Sequence, residues 1–160
     1  MSEFKYCKSI KSYNRFLSRE VAIGNTPVGG ANPIRIQSMT TTNTMNTEDT
    51  INQSIRMIKA GSEYVRITAP SMNEAKNLKN IQDGLNQKGY NVPLIADIHF
   101  TPSAAELAAQ IVSKVRINPG NYADKKKFKK FEISDFEYNL ELERIYDRFS
   151  PLVKICKEYG

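Results

Sequence analysis

From Ile34 onward, short apolar runs alternate with amphipathic stretches, each bounded by turn or capping residues. That alternation is the pattern of β-strands crossing over through helices into a parallel sheet. The first strand is expected over Ile34–Met39. A Thr/Asn-rich loop then leads to a helix that Thr47 can N-cap, with Glu48 and Asp49 in its positively polarised first turn and Gly61 at its end. The second strand reads Tyr64–Thr68, and Ser71 and Glu74 form a capping box for a helix running to about Lys88. A third strand over Pro93–Ile98 meets Thr101 as N-cap and Pro102 at the first helical position, with a helix over Ala104–Ile111. The fourth strand, Val115–Asn118, ends in a tight turn at Pro119-Gly120-Asn121. After the basic run Lys125–Lys130, a second capping box at Ser134 and Glu137 opens a long helix to about Tyr159.

Strand starts recur at roughly 20 to 30 residues, close to the roughly 30 per unit of a fold that places eight β/α units in about 250 residues. The fold class expected is therefore α/β, the N-terminal half of a (β/α)8 TIM barrel, about four units ending in a long helix. Ahead of it, Arg19–Ile23 and Val28 flank Gly24-Asn25, a pair that tolerates positive φ and reads as a β-hairpin turn able to plug the barrel's N-terminal mouth. The expected division is residues 1–33 for the N-terminal segment and hairpin, and 34–160 for the first half of a substrate-binding barrel domain. An unclosed half barrel exposes apolar strand edges, so a fragment of a longer protein is expected, with Gly160 as a helix C-cap.

Composition narrows the partners only slightly. A formal charge of +6 favours anions, without choosing between nucleic acid, a membrane surface and a phosphorylated small molecule. No window has the apolar length of a signal peptide or a membrane span, so a cytoplasmic setting is the default expectation. Cys7 and Cys156 stand at opposite ends with no CxxC or Cys/His partner, and they read as reduced thiols rather than metal ligands.

The chemistry is concentrated in the strands. Strands buried on both faces should be almost wholly aliphatic, so polar residues inside them need a reason. Period-two alternation puts Arg66 and Thr68 on one face, as it does Asp97 and His99, and Arg116 and Asn118, all toward strand C-terminal ends. In a (β/α)8 barrel that end binds ligands. Two planar guanidinium groups there suit bidentate contact with phosphate oxygens; either arginine could instead pair with a carboxylate, Asp97 being the candidate. His99, the only histidine, could donate to a phosphate or shuttle a proton, or serve structure alone. Asp97 could orient the arginines or His99, or act as an acid/base; beside a phosphorylated ligand the orienting role is expected, because a free carboxylate would repel it. Gly120 lets the backbone approach a ligand and Asn121 can bond ligand or loop. Gln37, Ser38 and the threonines after them could touch a ligand or cap their loop. The KKKFKK run over Lys125–Lys130 with Phe128 resembles a nucleic-acid patch, but a solvated linker face is expected.

The blocks Pro27-Val28-Gly29-Gly30, Gln37-Ser38-Met39-Thr40, Val65-Arg66-Ile67, Ala96-Asp97-Ile98-His99-Phe100 and Arg116-Ile117-Asn118-Pro119-Gly120-Asn121 resemble, in order and spacing, the GcpE family of 4-hydroxy-3-methylbut-2-enyl diphosphate synthases of the non-mevalonate isoprenoid pathway. The resemblance runs over about residues 19 to 121. It implies a TIM barrel that holds methylerythritol cyclodiphosphate by its diphosphate, with Arg66, His99, Arg116 and Asn121 as substrate-binding residues and Asp97 and Asn118 supporting them. It also implies a separate C-terminal domain whose three cysteines and one glutamate ligate a [4Fe-4S] cluster. Ferredoxin or flavodoxin is the implied electron donor and a homodimer the implied full-length state; neither nucleic acid nor membrane is an implied partner. No cluster ligands and no catalytic residue are expected in this chain, so the fragment alone is expected to be inactive and to bind substrate weakly. The charged segment and long helix after Asn121 resemble the larger, three-domain form of the family. Two other functions fit the residues: a pterin-binding transferase barrel of the dihydropteroate synthase type, and a non-enzymatic module that binds polyanions.

Overall fold

The computed structural model describes Lys11, residues 16–123 and residues 134–159. Cys7, the Lys125–Lys130 run and Gly160 lie outside the described residues. Four parallel strands, β1 (Gln37–Met39), β2 (Tyr64–Thr68), β3 (Leu94–Ile98) and β4 (Lys114–Ile117), form one sheet in the order β1-β2-β3-β4. Helices α1 (Thr47–Lys59), α2 (Met72–Gln87) and α3 (Pro102–Ala108) make the crossovers, and a short α4 (Pro119–Ala123) and the long α5 (Asp135–Tyr159) follow. Each strand pairs with the next in sequence, as successive β/α units of a barrel do.

The two faces of the sheet are packed differently. Val65, Ile67, Leu94, Ala96 and Ile98 point to the helices and are fully or almost fully buried against Ile51, Leu78, Ile81 and Leu85. Ala104, Ala105 and Ala108 let α3 lie close on the same layer. Gly84 does so for α2, because a Cβ there would come within 2.3 Å of Ile51 Cδ1. On the opposite face Tyr64 and Ile95 bury against Ile23, with Val28 packed on them. The N-terminal segment thus covers the end of that face nearest the strand N-termini.

Several local expectations change in detail. The hairpin reduces to a single antiparallel bridge, Val21 with Val28, whose N–H groups donate to each other's carbonyls at 2.8 and 2.9 Å. Gly24 takes φ +53° in the turn between them. The first strand begins at Gln37 rather than Ile34, for a specific reason. Ile36 N–H donates to the Glu63 carboxylate at 2.8 Å instead of to a strand carbonyl, and Arg35 spans Glu63 and the Pro27 carbonyl. The α1 N-cap is Asn46, whose side chain accepts from Asp49 N–H, while Thr47 is the first helical residue. Both capping boxes form, Ser71 with Glu74 and Ser134 with Glu137. The expected turn after strand four is instead one turn of helix: with Pro119 at its first position, Tyr122 N–H returns to the Asn118 carbonyl and Gly120 N–H donates to Asn118 Oδ1.

The Glu63 contact carries a pH prediction. The Ile36 N–H first, and then the Arg35 guanidinium, hold the Glu63 carboxyl below its ordinary value of 4.5. A depressed carboxylate stabilises the fold above its unfolded pKa and loses that contribution as pH falls through the folded value. Urea midpoints measured from pH 6 down to pH 3 are therefore expected to fall less steeply in Glu63→Gln than in the wild type, the difference opening below about pH 4.5.

Candidate functional site

The polar residues singled out on three adjacent strands meet around one carboxylate. Asp97 is 1% exposed on β3, between Thr68 of β2 and Arg116 of β4 in register. Arg66 Nη2 approaches its Oδ2 at 2.7 Å, and Arg116 Nη1 donates to its Oδ1 at 3.1 Å. One buried anion therefore sits between two cations, which resolves its desolvation cost and leaves the group with net positive charge.

His99, one residue past β3, joins the same cluster. Its Nε2 lies 3.3 Å from Arg116 Nη1 and 3.9 Å from Asp97 Oδ2. A guanidinium has only donors, so the contact with Arg116 uses the Nε2 lone pair. The exposures are graded. Asp97 is sealed, whereas the side chains of Arg66, Arg116 and His99 are 25%, 38% and 41% exposed. The cations face outward and the carboxylate lies beneath them. Both carboxylate oxygens are engaged, so the charge that would repel a phosphate is already spent on the arginines. Arg66 Nε is buried without a hydrogen-bond partner, so this guanidinium is not saturated.

Asn118 and Asn121 sit elsewhere. The Asn118 side chain accepts from Gly120 N–H and so caps α4 instead of reaching the arginines, because Pro119 starts a helix directly after it. Asn121, half-buried on α4, lines an open cavity of about 510 Å³ with Phe100, Tyr122, Arg144 and Arg148. Burial there pushes the Tyr122 hydroxyl up to about 12. Gln37 lies exposed on the edge strand, level with Tyr64, whose face is covered by Ile23. The threonines after Met39 are mostly consumed by their own loop. Gln53 Oε1 accepts from Thr41 and Thr42 N–H, and Thr44 Oγ1 donates to the Thr68 carbonyl at 2.6 Å.

Asn77 was not singled out by sequence reasoning, yet its side chain on α2 reaches the Thr44 carbonyl at 2.7 Å. The available signal was its position four residues before Ile81, which places an amide on the buried stripe of the helix. Among the described residues no group of three or more His, Cys, Asp or Glu side chains could hold a metal ion, and no helix is long and apolar enough to cross a membrane.

Four parallel strands alternating with helices, with Arg66 and Arg116 toward their C-terminal ends, define part of a TIM-barrel domain. Residues 18–159 match the family described as the GcpE TIM-barrel domain, and the chain belongs to that family. It is 56% identical over 150 residues, 93% of this chain, to the 4-hydroxy-3-methylbut-2-en-1-yl diphosphate synthase (flavodoxin) of Parabacteroides distasonis. Proteins of the same name from Akkermansia muciniphila and Leptospira interrogans are 50% and 51% identical over 97% and 98% of the chain. The matched stretch covers 24% to 26% of these relatives, so the chain spans about a quarter of their length.

Proposed function

We propose that this chain supplies part of the diphosphate-binding site of a 4-hydroxy-3-methylbut-2-enyl diphosphate synthase, in a full-length protein that reductively opens 2-C-methyl-D-erythritol 2,4-cyclodiphosphate. The observation that carries the reading is the pairing of Arg66 and Arg116 with one sealed carboxylate at adjacent strand ends. Asp97 anchors one Nη atom of each guanidinium before a ligand arrives, and donor groups held in place lose less freedom on binding. Arg66 and Arg116 then direct N–H groups at phosphate oxygens, and His99 adds a further polar contact beside Arg116. Asn121 is retained as a substrate-site residue only on the resemblance of its motif.

Ring opening takes up two electrons and two protons and releases water. The part of Arg66, Asp97, His99 and Arg116 in it is binding and orientation. The cluster, when bound elsewhere in the full-length protein, supplies the electrons. Flavodoxin, which the relatives' names specify, is the proposed donor to it.

Anaerobically purified full-length protein, given a chemical reductant, is expected to convert the cyclic diphosphate to the open allylic diphosphate. Arg116→Lys should raise KM about tenfold, because a lysine keeps the charge but loses the bidentate fork. A full-length protein with an iron–sulfur chromophore and no turnover would overturn the reading.

A further inference from the structure

We infer that Asn77 is a positioning residue for the substrate rim, acting through Thr44 to hold the loop between β1 and α1 beside the Arg66–Asp97–Arg116 cluster. The inference rests on the diphosphate-site reading and adds to it residues that touch no substrate.

The connection can be followed atom by atom. Asn77 is 7% exposed, and its Nδ2 donates to the Thr44 carbonyl at 2.7 Å and to Thr47 Oγ1 at 2.9 Å. Thr44, 6% exposed, passes the connection on, its hydroxyl donating to the Thr68 carbonyl at 2.6 Å. Thr68 is the register partner of Asp97, whose carboxylate holds both arginines. An amide on α2 is thus joined through two hydrogen bonds to the strand position beside the organising carboxylate.

The rest of the loop is tied as closely. Thr40 N–H donates to the Arg66 carbonyl at 2.9 Å, and Gln53 holds the amides of Thr41 and Thr42. Thr50, fully buried on α1, has its hydroxyl 2.9 Å from the Thr42 hydroxyl and 2.9 Å and 3.2 Å from the Asn46 and Asn43 carbonyls, which compete for its one proton. A loop that only connects two elements runs over the surface with much of its backbone left to water. This one spends buried side chains on its backbone and keeps Thr41, Asn43 and Met45 exposed. Thr101 repeats the arrangement on the other side. It occupies the α3 N-cap position without capping, and its hydroxyl donates to the Pro70 carbonyl, so the loops after β2 and β3 are bound to each other. Three consecutive rim loops are therefore built before ligand binding.

The test uses the full-length protein, with steady-state kinetics on the cyclic diphosphate and urea midpoints for each variant. Asn77→Ala removes the link to Thr44, and Thr44→Val removes the link to Thr68 while keeping the side chain's shape. Both are expected to raise KM about tenfold with kcat within about twofold of wild type, as misplacement of a binding wall does. Thr44→Ser, which restores the hydroxyl, should recover most of the wild-type KM. The isosteric Thr44→Val keeps the test open if Asn77→Ala lowers the folded population. An active wild type whose variants show lower urea midpoints but unmoved KM overturns this inference alone. A cluster-loaded wild type with no turnover overturns the functional reading, and this inference with it.

Discussion

Replacing Asp97 with alanine in the full-length protein is expected to lower kcat/KM for the cyclic diphosphate by at least about a hundredfold and to destabilise the fold by about 3 kcal/mol. The two effects have one cause. Asp97 is the only carboxylate in contact with Arg66 and Arg116 among the described residues, and it is sealed from water. Without it two like charges are left close together, one with a nitrogen already buried and unpartnered. The stability loss falls at the lower end for a broken buried pair, because both guanidinium groups reach solvent and can turn toward it. That turning is what removes activity: a rotated guanidinium no longer aims its donors at a fixed place. Asp97→Asn keeps the shape and one acceptor but no charge, and should fall between alanine and wild type in both measurements. Urea unfolding and steady-state kinetics check the two parts separately. An alanine variant that kept its kcat/KM would show that Asp97 does not organise the arginines.

Ile67→Ala is expected to cost about 2 to 5 kcal/mol, the range for removing a large aliphatic side chain from a close-packed core. Ile67 has no exposed surface, lies level with Ala96 on β3, and packs into the layer between sheet and helices. Ile67→Val leaves a much smaller void and should cost about 1 kcal/mol. A lower urea midpoint with an unchanged slope would assign the loss to the native state. The position also matters to the site, because Ile67 stands between Arg66 and Thr68 and its packing sets the plane from which Arg66 projects. An alanine variant as stable as wild type would mean that the helical layer can collapse into the void, which the fully buried Leu78 and Ile81 around it argue against.

The β/α order and strand positions were legible because they rest on short-range patterns. Alternation in Tyr64–Thr68 and Leu94–Ile98, and the Ser71–Glu74 box, involve residues close in sequence, and the sheet follows them to within a few positions. The misplaced details depend on distant partners. Ile34 and Ile36 have strand-like character, but Glu63 takes the Ile36 amide and the strand starts later. Thr101 has every local feature of a cap, yet its hydroxyl goes to Pro70. Asn118 was placed with the arginines by alternation, and Pro119 turned it into a helix cap.

The same division runs through the site. Sequence by itself determined that Arg66, Asp97, His99 and Arg116 would gather at the C-terminal ends of parallel strands, because side-chain alternation and barrel topology leave them few other places. Only the tertiary structure decided what they do to one another: strand register set Asp97 between the two neighbouring strands, both its oxygens took an arginine, and the cations were left facing outward. It also decided that Asn77 and Thr44 belong to the same assembly. They are 33 residues apart, and their hydrogen bond exists only because α2 packs beside α1 in the folded layer, a contact no local pattern encodes.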